Sequence, residues 1–313
     1  VPYNNVITRA EVQALIPEDV AAGVLQGVTR ESAALSLLPH VPMSSNQQRI
    51  PVISALPTAY FVSGDTGLKQ TTEQNWANKF LNVEEIAAIV PIPEAVLDDT
   101  SFDVWGSIRP RLEEAVGRVL DAAIFFGTNA PASWPTNIVA GAIAAANQVT
   151  RGTNAAAAGG IMGDFSDMFA TMEADGYDPS GIAATTTYKG KFRQARSTQG
   201  DRLMDSAPDG SSVNGVPVVY PMRGLWPSGA GATEVIALDR AEFMLGVRQD
   251  LSYKVLDQAV ITDAAGLVIY NLPQQDMVAL RVVARYAWQV ANVINYDQAS
   301  EASRYPAAII KAP

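Results

Sequence analysis

The residues best suited to chemistry are thinly spread along this sequence. Its one histidine, His40, sits between two prolines in LPHVPM. An imidazole can act as acid, base or metal ligand near neutral pH, yet a lone histidine beside a loop reads first as a surface or packing residue. With one histidine and no cysteine, a His-rich or thiolate metal site cannot be built, and disulfides and cysteine nucleophiles are excluded. Carboxylates occur as neighbours at Glu84–Glu85, Asp98–Asp99 and Glu113–Glu114. A carboxylate pair could divide general-acid and general-base work, but sequence neighbours diverge on a helix and point to opposite faces of a strand. They read as solvated or salt-bridged groups. Lys189-Gly190-Lys191 has no upstream glycine at phosphate-loop spacing and reads as a basic turn. Neither G-x-S-x-G nor a glycine-rich nucleotide loop occurs at a strand–helix junction. The sequence therefore assigns no catalytic residue, no metal and no cofactor, and the chain reads as a non-enzyme.

What must position any function is then the order of the elements. The 313 residues are long enough for one large domain or two ordinary ones. Hydrophobic residues make up 48% and charged residues 17%, which marks a globular chain. Lys+Arg 22 against Asp+Glu 32 leaves a net charge of −10, the wrong sign for a surface that wraps nucleic acid by counterion release. No apolar run approaches the roughly 20 residues of a membrane span, and VPYNNVITRA has no apolar signal-peptide core.

The strongest periodicity joins Phe102, Trp105, Ile108, Leu112, Val116, Val119, Leu120, Ala123 and Phe126 at three- and four-residue steps. It predicts a long one-sided helix, with Asp99, Thr100 and Ser101 as capping residues, Pro110 as a kink and Gly127 as the stop. Glu113, Glu114, Arg118 and Asp121 fall off the apolar stripe. Short helices are expected at Ser32–Leu38, on an arm that lies on something else, and at Tyr188–Arg196. Phe165, Met168, Phe169 and Met172 mark another, capped by Asp164. Strands are expected in SGIAATTTY, VPVVYP, EVIALD, MLGVRQDLSYKVL, MVALRVVARYAWQVAN and RYPAAIIKA. The alanine-rich stretch after residue 140 reads as loop with weak strand or helix content. Without regular βαβ alternation, the class is α+β. Between Tyr60 and Val90 two strand-like runs flank a long polar segment whose apolar anchors are Leu68 and Trp76. Joining strands takes two to five residues in most hairpins. Ordering so long an arm costs roughly 1–2 kcal/mol per residue in backbone entropy, more than two anchors offset within one subunit.

This order of parts resembles the major capsid protein of tailed bacteriophages, the Hong Kong 97 fold. The resemblance rests on VPMSSNQQRIPVI, on GDTGLKQTTEQNWANKFLNVEEIAAIVPIPEAVLDD, on RPRLEEAVGRVLDAAIFFG as its spine helix, and on NGVPVV and RYPAAIIKA as axial strands. It implies an N-terminal arm over 1–45, an extended loop region over 46–82 laid across a neighbouring subunit, a peripheral domain of 83–128 with 241–290, and an axial domain of 129–240 with 291–313. It also implies hexamers and pentamers of the chain itself in an icosahedral head around double-stranded DNA. Portal, scaffolding and cement proteins are the expected partners, with no membrane. DNA would be met by non-specific proximity only. Candidate inter-subunit residues are Leu68, Lys69, Trp76, Arg109, Arg111, Glu113 and Glu114. An encapsulin-type nanocompartment shell is the alternative within the fold, and a carboxylate-dependent hydrolase the alternative outside it.

Some members of that family weld subunits through isopeptide bonds. By the resemblance, Lys69 falls at the cross-linking lysine, Asp276 at the acceptor asparagine and Val283 at the catalytic glutamate. Two of the three parts are changed. Without an amide acceptor and a carboxylate base the attack has no route, so Lys69 is expected to be a solvated or salt-bridging loop residue.

Overall fold

Residues 243–256 and 277–290 alternate apolar and polar side chains, and they form the two longest strands of the protein. The computed structural model describes residues 32–62, 67–99, 104–196, 199–201, 210–221, 224–263 and 265–313. The first part of the chain runs α1 (Ala33–Leu37), β1 (His40–Pro42), β2 (Gln47–Ala55), β3 (Asn75–Asn82), β4 (Glu84–Pro93), α2 (Glu94–Asp99) and α3 (Val104–Asp121). The middle holds α4 (Ile138–Ala144), β5 (Gln148–Thr150), α5 (Ile161–Ala174), β6 (Gly181–Ala184) and α6 (Tyr188–Gln194). Then come β7 (Ser212–Val213), β8 (Val216–Val219), β9 (Thr233–Leu238) and β10 (Phe243–Leu256). The chain closes with β11 (Val260–Thr262), β12 (Val268–Asn271), β13 (Met277–Val290) and β14 (Ala307–Lys311).

One sheet has the order β1-β10-β13-β4. Its central pair is antiparallel, from Phe243 opposite Val290 to Leu256 opposite Ala279, with irregular register on either side of Gln249. Because strand side chains alternate, Leu280, Val282, Ala284 and Tyr286 share one face, and they pack with Leu112, Val116 and Leu120 of α3. The six-stranded sheet has the order β5-β14-β9-β6-β8-β7. Ala183, Ile236, Leu238, Ala307 and Ile309 face the same core as α3. Their alternates Ile182, Ala184, Val235, Ala237, Ala308 and Ile310 face α5 and α6, against Phe165, Met168, Tyr188 and Phe192. One continuous core thus joins the two sheets, and a second covers the far side of the larger one.

The spine helix α3 is 18 residues long and runs through Pro110 without a break. A π-helical turn, Ala122–Phe126, extends it, and Gly127 at φ 71° ends it. A left-handed backbone suits glycine. Phe102, Thr100 and Ser101 lie outside the described residues, while Asp99 ends α2 instead of capping the spine. Two further expectations on the spine fail. Val119 is 48% exposed, because it stands about 100° round the helix from Leu120 at the edge of the stripe, and Asp121 is fully buried because α1 lies over it and bonds its carboxylate.

Elsewhere, Asp164 lies inside α5, whose cap position is Gly160. Its carboxylate instead accepts the Gly152 and Asn154 amides at 2.7 and 3.0 Å, tying down the preceding loop. Lys189 and Lys191 lie on α6 and not in a turn. The alanine-rich stretch contains α4, capped by Asn137, whose Oδ1 accepts the Ala140 amide at 2.9 Å. Residues 33–38 were expected on an arm reaching elsewhere. Instead Ala33, Ala34, Leu37 and Leu38 are buried in the subunit's own main core.

Candidate assembly interface

The polar middle of the chain builds a hairpin arm. Strands β2 and β3 pair antiparallel, Gln47 opposite Asn82 through Ile53 opposite Trp76, with a register shift before Ala55 pairs with Asn75. They form a sheet of their own, separate from the two larger ones. Proline within a strand removes a ladder donor, and Pro51 sits in β2 on a ribbon that has no third strand among the described residues. Beyond the ladder the two segments stay in touch through the Thr58 amide to Thr72 Oγ1 at 2.9 Å and Tyr60 Oη to the Gln70 carbonyl at 2.9 Å.

The arm exposes large apolar side chains toward its tip, while Val52 in mid-ribbon is buried and the body contacts the arm from its root to just past β2. Leu68 is 89% exposed, Trp76 is 65% exposed, and Phe61 is fully exposed. A two-stranded ribbon is marginal in water by itself. At its root Asn82 Nδ2 donates to the Ser133 carbonyl at 3.0 Å and Trp134 Nε1 donates to the Asn82 carbonyl at 3.1 Å, and further contacts hold the arm to the body. Lys79 Nζ reaches Glu301 Oε1 at 2.7 Å, Tyr296 Oη donates to the Pro57 carbonyl at 2.7 Å, and Gln289 Nε2 donates to the Phe80 carbonyl at 3.0 Å. Below them Leu81 is buried with Met43 and Ala287. The bond from Lys79 holds the Glu301 carboxyl below its ordinary pKa.

The other candidates lie apart from the arm. On α3, Arg111 and Glu114 pair at 2.7 Å, three residues apart. Glu113 accepts from Tyr253 Oη at 2.7 Å, and the Arg109 guanidinium lies 5.8 Å from the Tyr253 ring centre. All four therefore hold contacts inside the subunit, linking the spine to itself and to β10. Burial, with the Glu113 bond adding to it, pushes the Tyr253 hydroxyl above the usual phenol range. Of the acidic neighbours, Glu85 pairs with Arg285 at 2.7 Å while Glu84 accepts from Ser133. The two point to different partners, as strand geometry requires.

Lys69 is exposed at the arm tip. Asp276 is exposed, in the left-handed region at φ 47°, with its carbonyl taking the Glu94 amide at 2.8 Å. Val283 stands in mid-strand between Ala87 and Ser252. Among the described residues no group of three or more His, Cys, Asp or Glu could hold a metal ion, and no helix is long and apolar enough to cross a membrane.

Sequence reasoning missed two exposed apolar features and one buried polar one. Phe61 was seen only as part of a strand-like run. The β11–β12 hairpin, with Val260, Leu267, Val268 and Ile269 exposed, drew no expectation; the alternation of VITDAAGLVIYN around a glycine was its signal. Asp121, described below, was the third.

Comparison with known proteins fits this architecture. A profile of the phage capsid family matches residues 13–293. The major capsid protein of Staphylococcus phage 80alpha is 24% identical over 299 residues, covering 92% of this chain and 86% of that one. A solved chain from Microbacterium phage Oxtober96 is 33% identical and superposes with a TM-score of 0.85, over 99% of this chain and 100% of that one. One from Mycobacterium phage Bobi is 30% identical at the same TM-score of 0.85, covering 99% of each chain. The α+β architecture described above is the Hong Kong 97-type capsid fold. The chain belongs to the phage capsid family, and its place is the protein shell of the virion.

Proposed function

We propose that copies of this chain form rings of five and six that close into an icosahedral head around double-stranded DNA, with the β2–β3 arm laid across the next subunit. The observation that carries this reading is the arm itself. Phe61, Leu68 and Trp76 stand in solvent on an arm whose contacts with its own subunit run from Asn82 to Pro57 and leave these three side chains uncovered. Burying a side chain of this size stabilises by roughly 1.5–3 kcal/mol, and a neighbour's surface is where that can happen. An arm that meets a different patch on the next copy makes a heterologous contact, which closes into a ring by rotation.

In this reading residues 83–128 with 241–290 are the peripheral part, 129–240 with 291–313 the axial part and 1–45 the N-terminal arm, of which 1–31 lie outside the described residues. Leu68, Lys69 and Trp76 belong to the contact made by the arm. Arg109, Arg111, Glu113 and Glu114 lie along the spine where subunits meet side by side. The net charge of −10 suits a wall that repels its cargo, so DNA can spool in and leave. Portal, scaffolding and cement proteins are the remaining partners. Limited proteolysis of free subunits and of assembled particles tests the arm's role. Cleavage between residues 54 and 82 in free subunits, with protection in particles, supports the reading. Equal protection in both means that the arm packs on its own subunit.

A further inference from the structure

Asp121 is the last residue of α3, fully buried, and its carboxylate reaches outward from the spine to the start of α1. Oδ1 accepts from Ser32 Oγ at 2.6 Å and from the Ala34 amide at 2.9 Å, and Oδ2 accepts from the Ala33 amide at 2.9 Å. These three bonds are the cap of α1, and Ser32 Oγ in turn accepts the Leu35 amide at 3.2 Å. The π turn begins at the next residue. No cation pairs with the carboxylate among the described residues.

Its titratable surroundings are all engaged elsewhere. Helix α1 carries no ionisable side chain. At its other end the Arg240 guanidinium donates to the Leu37 carbonyl at 2.6 Å, and a His40 ring nitrogen lies 2.9 Å from the Leu35 carbonyl. On the spine, Arg118 donates to the Gly224 carbonyl at 3.1 Å and Glu114 pairs with Arg111. From the sheet, Tyr286 Oη bonds Asp250 at 3.2 Å. Arg30 and Glu31, next along the chain, lie outside the described residues.

A buried carboxylate without a counter-charge keeps its desolvation cost as long as it is ionised, and three hydrogen bonds offset only part of it. We propose that α1 is a strap fastened to the end of the spine helix by Asp121, and that it binds more tightly when Asp121 carries a proton than when the carboxylate is ionised. Burial raises the Asp121 pKa from 3.8 to about 6, against the lowering effect of the Ser32, Ala34 and Ala33 bonds. The direction follows from linkage. A lifted strap returns Asp121 to water and to an ordinary pKa, so the docked form holds the extra proton between the two values. Docking therefore strengthens as pH falls through 6 and levels off below 3.8.

Hydrogen exchange of the full-length chain, followed at residues 32–38 and corrected for the intrinsic pH dependence of exchange, reads the strap directly. Protection should rise roughly thirtyfold from about pH 7.5 to about pH 4.5, the ratio given by pKa values near 6 and 3.8. Asp121→Asn should remove the rise, and His40→Ala should keep it. Ser32→Ala, which retains the carboxylate and loses a bond to its ionised form, should move the midpoint to higher pH. A flat wild-type profile overturns the proposal. So does a rise that survives in Asp121→Asn, or one that disappears in His40→Ala. If Asp121→Asn does not fold, the Ser32→Ala midpoint and the carboxyl carbon resonance of Asp121 decide the matter: a midpoint below about 4.5 contradicts the strap.

Discussion

Lys79 Nζ lies 2.7 Å from Glu301 Oε1, joining the root of the arm to a loop 222 residues further along the chain. Together with Tyr296 on Pro57 it sets the angle at which β2 and β3 leave the body. The pair is part exposed, with side chains 27% and 63% accessible, so its contribution to subunit stability is at most about 1 kcal/mol. Its effect is on direction.

Lys79→Met should therefore leave the melting of the free subunit almost unchanged while making the arm easier to cleave at its root. The Lys79 bond lowers the Glu301 pKa below its ordinary 4.5. A carboxylate of that kind contributes above its unfolded pKa and loses its contribution as pH falls through the folded one. Arm cleavage by an acid-active protease should stay constant down to about pH 4.5 and rise below it. A rise near neutral pH would mean that another group holds the root.

Phe61→Ser and Leu68→Ser should change subunit stability by no more than about 0.5 kcal/mol, because neither side chain is buried in the subunit. Assembly should suffer. Sedimentation should show the midpoint for particle formation moved to higher protein concentration, more in the double variant than in either single one. Destabilised subunits with normal assembly would contradict the arm's assignment.

Gly127 illustrates how closely the end of the spine is built. Its φ is 71°, and a Cβ placed there would stand 2.5 Å from Nδ2 of Asn137, the residue that caps α4. Gly127→Ala should cost roughly 1–2 kcal/mol for the left-handed backbone and about 1 kcal/mol for the disturbed cap. Urea denaturation of the free subunit measures the sum, and an unchanged midpoint would show that the turn relaxes without strain.

Mature particles should fall apart on denaturation into single chains. Lys69 is present and exposed, but Asp276 and Val283 stand where the resemblance places an acceptor amide and a catalytic carboxylate. A denaturing gel should show one band near 33.3 kDa. A ladder of multiples that disappears in Lys69→Ala would reveal a different acceptor, and one that persists in Lys69→Ala would displace the lysine from its assigned place.

How far the sequence announces this molecule depends on whether the pattern is local. The spine was legible because Leu112, Val116 and Leu120 repeat at helical steps and meet one sheet face. The long strands β10 and β13 were legible from their alternation. The π turn was not, since one extra residue per turn leaves no compositional mark, and neither was the burial of Asp121, which depends on α1 lying over it. Asp121 had a faint signal: a carboxylate between Leu120 and the run AAIFF, with no basic residue within the following turn. Its partner Ser32 lies 89 residues away, and such a contact appears only in the fold. The arm was legible as an arm because its segment is too long and polar to close on itself. Its fastening to Glu301 and Tyr296 was not, being set by a loop near the other end of the chain.

Electron microscopy of the purified full-length protein tests the central claim most directly. Assembly through the exposed arm predicts closed shells whose averaged images resolve rings of five and six subunits, with density for each arm lying over the adjacent subunit. A protein that stays monomeric at every concentration and salt tried, or shells in which each arm folds back on its own subunit, would contradict it.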